Sequence, residues 1–397
     1  MVYDDLIIGS GLTALSVAYG LEAGRKVCVL AGSRYPELQF YDSSSNTPCA
    51  NNGFGGLGSY WHGVIPTGQP CFFFDTDRHL FEELFNHFYP DSVGERYGQP
   101  WLFVPYRPIR PATHWKKLCI ERSNLKIAHA KADLIEYKKG VWTATAGGVC
   151  NSAKRIWLAA GALGTPAILE NSPEFQKMSR AYVSDHVILY LGQIDRRRHP
   201  HILPPKVDRK ASGVWMQGSY DSSNLGLITT KPARFSYATL DNGIEQRSAF
   251  GLPTAGVLAK IWKAGSLGLI SEAMFNKLGL FPDSNRLSVY AQIRIEDAYR
   301  LKPGHLTLDA NIMAIQSGIR NFRHNLEMPE LELSKQPELY IRGIHLHNSL
   351  NSGALASHSM LANKNLTIVD SSCIADIGPE HHSFKAMVKA FSLAKSN

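Results

Sequence analysis

Residues 5 to 30 of this 397-residue chain read DLIIGSG, LTALSVAYGLEAG and, after Arg25, KVCVL. Leu6 to Ile8 predict a short buried strand. Leu12, Leu15, Val17, Ala18 and Leu21 predict a mainly apolar helix ended by Gly24, and Val27 to Leu30 predict a parallel strand returning beside the first. Such a βαβ unit needs small residues at three places: Gly9 for the sharp turn, Gly11 where a backbone approaches a ligand, and Ala14 where helix and strand pack closely. The free amides of the helix start, at Leu12 and Thr13, then face an anion. A dinucleotide's pyrophosphate fits that cradle, and a tight turn with no ligand is the other reading of the same residues. One expected part is missing. Where an acid should meet the ribose the sequence reads Val29-Leu30-Ala31-Gly32-Ser33-Arg34, so either Ser33 or Arg34 takes over some of that contact or the ribose is held less well.

Four further stretches narrow the choice of dinucleotide. Residues 51 to 63 read NNGFGGLGSYWHG; Asn124 to Ile127 and Ala132 to Ile135 read as a strand pair; Ile156 to Leu169 read IWLAAGALGTPAIL, a strand running into a helix with Pro166 in its first turn; Leu366 to Ser372 precede a last helix from Phe384 to Ala394. Together they resemble the glucose-methanol-choline (GMC) family of FAD-dependent oxidoreductases. The most specific match is to that family's AAGA-x-x-TP-x-(I/L)-L signature. The segment holding Gly55, Gly56, Ser59, Tyr60 and Trp61 is similar to the glycine-rich stretch beside the flavin ring, and is closest to the GG-x-S-x-H-W form of pyranose-oxidising members. Tyr60 stands where those members carry a histidine that can be joined to the flavin, so the resemblance implies non-covalent FAD. It also implies that Ala132 lies near the adenine, that Ala160, Gly161 and Thr165 meet the cofactor, and that Asp370 lies near its ribityl and phosphate portion. Backbone amides around His382, Ser383 and Phe384 would face the pyrimidine end of the ring, where reduction develops negative charge.

Oxidising an alcohol by flavin needs a base for the hydroxyl proton, and histidine suits that task. The carboxy-terminal block offers His345, His347, His381 and His382. Laid on the family pattern H-x-x-G-T-x-x-M-G, the stretch HLHNSLNSG puts His345 in the catalytic place and keeps Gly353. Asn348-Ser349 replace Gly-Thr and Ser352 replaces Met, which leaves His347 as a rival. His382 aligns with the family's second His or Asn, with His381 a neighbour facing solvent. Asp185-His186 matches an Asp-His pair common in the family and reads as structural, and His62 reads as a surface or core-edge histidine.

The expected fold class is α/β. A Rossmann-like FAD-binding domain of the GMC and glutathione-reductase type is discontinuous over 1–60, 120–190 and 341–397, and a sheet-containing substrate domain from 61–119 and 191–340 caps it. The resemblance implies oxidation of an alcohol, of a sugar or other polyol, with the electron acceptor left open among oxygen, a quinone and a protein. Two alternatives stand beside it: the same flavin site running redox-neutral or reductive chemistry, and a non-catalytic flavin-binding protein.

A net charge of +8 favours an acidic or phosphorylated small molecule or glycan over a basic partner, although the densest basic cluster, Arg196 to His199, reads as a solvated loop. Six scattered cysteines show neither a CxxC pair nor metal-ligand spacing, so no metal site or disulfide framework is expected. No nucleic-acid partner is expected. No apolar run reaches the roughly 18 residues of a spanning helix, and the acidic, short stretch before Leu6 does not read as a secretory leader, so a cytoplasmic location is the expectation.

Overall fold

The structure, a computed structural model, describes residues 2–42, 48–61, 63–67, 77–89, 96–97, 101–175, 177–198, 206–208, 210–220, 226–231, 286–301, 308–326, 332–333, 340–343, 345–351, 365–375, 378 and 381–396.

The amino-terminal unit forms as its apolar pattern requires. β1 (Val2–Ile8) buries its last four residues, α1 (Leu12–Gly20) follows the glycine turn, and β2 (Val27–Leu30) returns parallel to β1. The helix stops at Gly20 and not at Gly24, because Arg122 donates to the carbonyls of Ala18 and Leu21 and so closes its carboxy end. A two-stranded ribbon, β3 (Leu38–Phe40) with β4 (Pro48–Asn51), leads to the second glycine segment. Then come β5 (Ile65–Pro66), α2 (Arg78–Phe88), β6 (Trp101–Pro105), α3 (Pro111–Glu121) and β7 (Leu125–Ala128).

β8 (Ala132–Lys138), β9 (Val141–Ala146) and β10 (Val149–Leu158) form an antiparallel meander. Its two turns, Lys139-Gly140 and Gly147-Gly148, hold all four residues at positive φ, as two-residue hairpin loops demand. The first sheet has the order β7-β2-β1-β10-β9-β8, and the strand Leu366–Ile368 pairs in parallel with the last three residues of β10. β7 and β8, expected as a pair, therefore lie on opposite edges. β7 arrives from α3 and adds in parallel to β2, whereas β8 is tied to β9 by its hairpin.

α4 (Gly161–Asn171) leaves the end of β10. The chain then builds a second sheet around two long antiparallel strands, β11 (Tyr182–Asp195) and β15 (Arg286–Leu301), between which come β12 (Lys206–Asp208), β13 (Gly213–Tyr220) and β14 (Gly226–Lys231). β16 (Leu308–Ala310), α5 (Ile312–Asn325), β17 (Glu332–Leu333), β18 (Tyr340–Arg342) and β19 (Leu366–Ile368) follow, and α6 (Ser383–Lys395) ends the chain. The second sheet has the order β17-β11-β15-β14-β13-β6-β5. α5 covers it with Ile315, Ile319 and Phe322. Of the stretches expected in the cap, β5 and β6 join this sheet, whereas α2 and α3 pack with α1 and α6 in a core that includes Leu15, Val17, Phe81, Phe85, Trp115 and Phe391. Residues 232–285 and His305 lie outside the described residues.

No helix among the described residues is long and apolar enough to cross a membrane.

Candidate active site

The first glycine turn is held from three sides. A Cβ on Gly9, at φ +113, would lie 2.1 Å from the Ala159 carbonyl oxygen, so only glycine lets the turn lie against the end of β10. Ser10 Oγ donates to the Ala31 carbonyl at 3.0 Å and accepts from the Gly55 amide at 2.9 Å, and Trp115 Nε1 donates to the Ser10 carbonyl at 2.8 Å. Gly11 begins α1 with no side chain bonded to the helix amides and no acid in the first turn, and a Cβ there would meet nothing within 4 Å. The amides of that helix start therefore face open space with their dipole uncompensated, the condition for binding an anion.

A cavity of about 460 Å³ runs from this turn to the histidines of the carboxy-terminal block. Gly9, Gly11, Leu12, Thr13, Gly56, Tyr60, Trp61, Ala132, Ala160, Gly161, Asp370, Ser383, His345 and His382 line it. Seven other residues expected at the cofactor do not. Ala14 is wholly buried in the core, as helix–strand packing requires. Gly55 and Ser59 face each other, since a Cβ on Gly55 would come 2.5 Å from Ser59 Oγ. Ser33 stitches the end of β2 to the second glycine segment by backbone bonds to Asn52 and Phe54, and neither it nor Arg34 lines the cavity. Lys131 and Asp133 line it instead, beside Gly32, whose amide donates to the Ala130 carbonyl. Phe384 is wholly buried against Phe81 and Phe85.

Thr165 is also wholly buried, and its hydroxyl donates to Asp370 at 2.6 Å. Asp370 is a clasp as well as a lining residue: it accepts from the Gly161 amide at 2.9 Å, the Ser372 amide at 2.9 Å and the Ser372 hydroxyl at 2.5 Å. Because the Asp370 bond starts α4 at Gly161, Pro166 sits inside the helix and not in its first turn. Burial raises the Asp370 pKa, and the four bonds work against that rise. Asp370→Ala is expected to strand several buried donors and cost roughly 3 kcal/mol. The thermal midpoint of the apoprotein should fall well below that of Asp370→Asn, which keeps a carbonyl acceptor.

The histidines gather where β11 bulges between Val183 and Asp185. Asp185, wholly buried, accepts from the backbone amides of His186 and His345, both at 2.8 Å, and from the Tyr41 hydroxyl at 2.6 Å. Burial pushes its carboxyl up to about 6 against those bonds. His186 Nδ1 lies 3.1 Å from His345 Nδ1, and the His345 and His382 rings meet edge to face with centroids 4.9 Å apart. His186, His345 and His382 each bring a ring nitrogen within 4.8 Å of the others. His382 is 5% exposed, and its Nδ1 has no hydrogen-bond partner among the described residues.

His347 is turned away from the cavity, wholly buried, with Nδ1 donating to the His345 carbonyl at 2.9 Å. His381 lines the cavity and is half-buried, in place of the expected solvent-facing position. Asn348, which stands for a family glycine, has φ +57, a conformation asparagine tolerates, so that departure keeps the local backbone. Ser352, Gly353 and His62 lie outside the described residues.

These burials set the pH dependence of stability. Burial lowers His347 to about 4 from an ordinary 6.5, and holds His186 and His382 well below that value. Below 6.5 the unfolded chain takes up protons that the folded one refuses, so this contribution is full above 6.5 and is lost as pH falls. Asp185 has the opposite sign, since its folded carboxyl keeps a proton up to about 6 that the unfolded chain releases near 3.8. Asp370, also raised by burial, shares the sign of Asp185, and His87 and His114 are lowered by burial like the other three, so five histidines outweigh two carboxyls. The urea midpoint is expected to drop between about pH 7.5 and about pH 5, and His347→Gln should flatten part of that drop.

Lys131 escaped sequence reasoning although it precedes Ala132, and Asp133 reads only as part of the strand near the adenine. Gln292 and Met216, also on the cavity wall, lie on strands that carry no motif. His186 was visible as half of a pair, but its strand-like context pointed to a structural role.

No protein-family model matches this sequence, and no curated protein matches it. Among solved structures the chain is similar to pyridoxine 4-oxidase from Mesorbium loti, at 13% identity and a TM-score of 0.55, over 99% of both chains. The chain shares that oxidase's overall fold. It is also similar to an FAD-dependent oxidoreductase from Chaetomium thermophilum bound to a butanamide fragment, at 12% identity and a TM-score of 0.49, over 99% of this chain and 98% of that one. The expected architecture, a Rossmann-like α/β unit with a second sheet, is present in the strand order and in the fold shared with the pyridoxine oxidase.

Proposed function

We propose that this chain is an FAD-dependent oxidoreductase of the GMC type that oxidises a CH–OH group. The observation that carries this reading is a single cavity joining an uncapped, anion-ready helix start at Gly11 to the His345 and His382 pair. The residues present fit non-covalent FAD. Gly11 and Gly161 leave room where a Cβ would meet nothing, and Tyr60 stands on the wall where a histidine could have formed a covalent link. The start of α1 would hold the pyrophosphate, and Lys131, Ala132 and Asp133 the adenosine end. Ser383, at the uncapped start of α6, would present amides to the pyrimidine end of the ring. Bound there, FAD supplies the hydride acceptor.

The chain's own part is proton handling and orientation. His345 takes the hydroxyl proton, and His382, held neutral by burial, hydrogen-bonds the same oxygen and points the carbinol C–H at the ring. Away from the glycine turns the described lining includes the apolar side chains of Trp61, Val64, Leu102, Ile188 and Met216 together with Gln292. Lys131 is the one cation among the described lining residues, and it lies at the adenosine end. That wall supports a neutral alcohol over a phosphorylated one. The glycine segment supports a sugar or polyol, and the shared fold supports pyridoxine. Purified protein should release FAD on denaturation, and turnover should require an external electron acceptor. Turnover without an acceptor would replace this reading with redox-neutral chemistry.

A further inference from the structure

His186 Nε2 lies 2.6 Å from the Gly378 carbonyl oxygen. A carbonyl oxygen can only accept, so Nε2 carries a proton. The ring is wholly buried, and burial keeps it neutral, with His347, His381 and Arg294 opposing a second proton. One proton on a neutral imidazole leaves Nδ1 as an acceptor. The atom facing Nδ1, at 3.1 Å, is His345 Nδ1, which must therefore donate.

We propose that His186 is a positioning residue that sets the tautomer of His345, holding its proton on Nδ1 and its lone pair on Nε2. The proposal deepens the alcohol-oxidising reading and rests on it for its purpose: Nε2 is then the nitrogen that takes the substrate's hydroxyl proton. When it does, the bond from His345 Nδ1–H to His186 Nδ1 becomes charge-assisted and stronger, which stabilises the imidazolium inside a site that burial would otherwise make hostile to it. The spacing of the two rings is fixed by backbone. Asp185 Oδ1 accepts the amides of both residues, and the Gly343 amide donates to the His186 carbonyl at 2.7 Å. A Cβ on Gly343 would lie 2.7 Å from the Cβ of His186, so only glycine lets the two segments approach this closely.

The test uses the FAD-loaded protein labelled with 15N-histidine, with the His345 signals identified by their loss in His345→Gln. The expected spectrum has a protonated Nδ1 and a bare Nε2 on His345, and His186→Leu should abolish that single tautomer. A proton on Nε2, or a pattern that changes when a chelator removes a cation from between the rings, overturns the proposal. Kinetics supply the second arm. His186→Asn and His186→Leu both lose the Gly378 bond, but asparagine keeps an oxygen able to accept from His345 Nδ1. Flavin reduction should slow about a hundredfold in His186→Leu and stay within about tenfold of the parent in His186→Asn. Equal losses in the two variants would mean a merely structural role. Should no alcohol reduce the flavin, the alcohol-oxidising reading fails while the spectrum still decides the tautomer.

Discussion

His345→Gln is expected to keep FAD bound and to slow its reduction by an alcohol at least about a hundredfold, the ordinary worth of a positioned base. The cofactor should stay because its proposed phosphate cradle, at Gly9, Gly11 and the start of α1, is built by the amino-terminal βαβ unit, whereas His345 is held by Asp185 and His186. The fold should survive because glutamine keeps the backbone amide that donates to Asp185. His347→Gln is the control. His347 is buried behind the cavity wall with its Nδ1 spent on the His345 carbonyl, so its loss should change reduction far less. Stopped-flow reduction of the two holoproteins checks the contrast, and a larger loss in His347→Gln would move the base to that residue.

Gly11→Asp should leave the apoprotein folded and remove its FAD. Gly11 has φ −72, which any residue adopts, and a Cβ there meets nothing within 4 Å. A carboxylate at a helix start is itself stabilising, so the thermal midpoint of the apoprotein should not fall. The same carboxylate would stand against the pyrophosphate. Two like charges about 4 Å apart near a protein surface repel by about 4 kcal/mol, which is roughly a thousandfold in affinity. Titration of the apoproteins with FAD measures this directly. Undiminished affinity in Gly11→Asp would place the phosphates elsewhere.

The parts of this molecule that could be read in advance are those in which local chemistry is enough. The βαβ start is specified by two apolar runs and a turn that admits only glycine at Gly9, and the AAGA strand runs on into a helix, β10 into α4. The parts that could not be read depend on residues distant in the chain. α1 ends early because Arg122, from beyond α3, caps it. β7 and β8 separate because one follows a helix and the other a hairpin. Ser33 and Arg34 miss the cavity because Ser33 is tied to the second glycine segment, and Lys131 and Asp133, flanking Ala132 at the start of β8, take the wall. His186 illustrates the same limit within the site. Its neighbours alternate as a strand should, and only the bulge in β11 and the pairing of β18 with that strand bring its ring to His345.

The decisive measurement is anaerobic mixing of the FAD-loaded protein with a panel of sugars, polyols, simple alcohols and pyridoxine, followed at the flavin absorbance. At least one compound is expected to bleach the flavin and yield an equal amount of aldehyde or ketone. Bleaching by dithionite alone, with every CH–OH compound inert, would contradict the assignment of alcohol oxidation to this site.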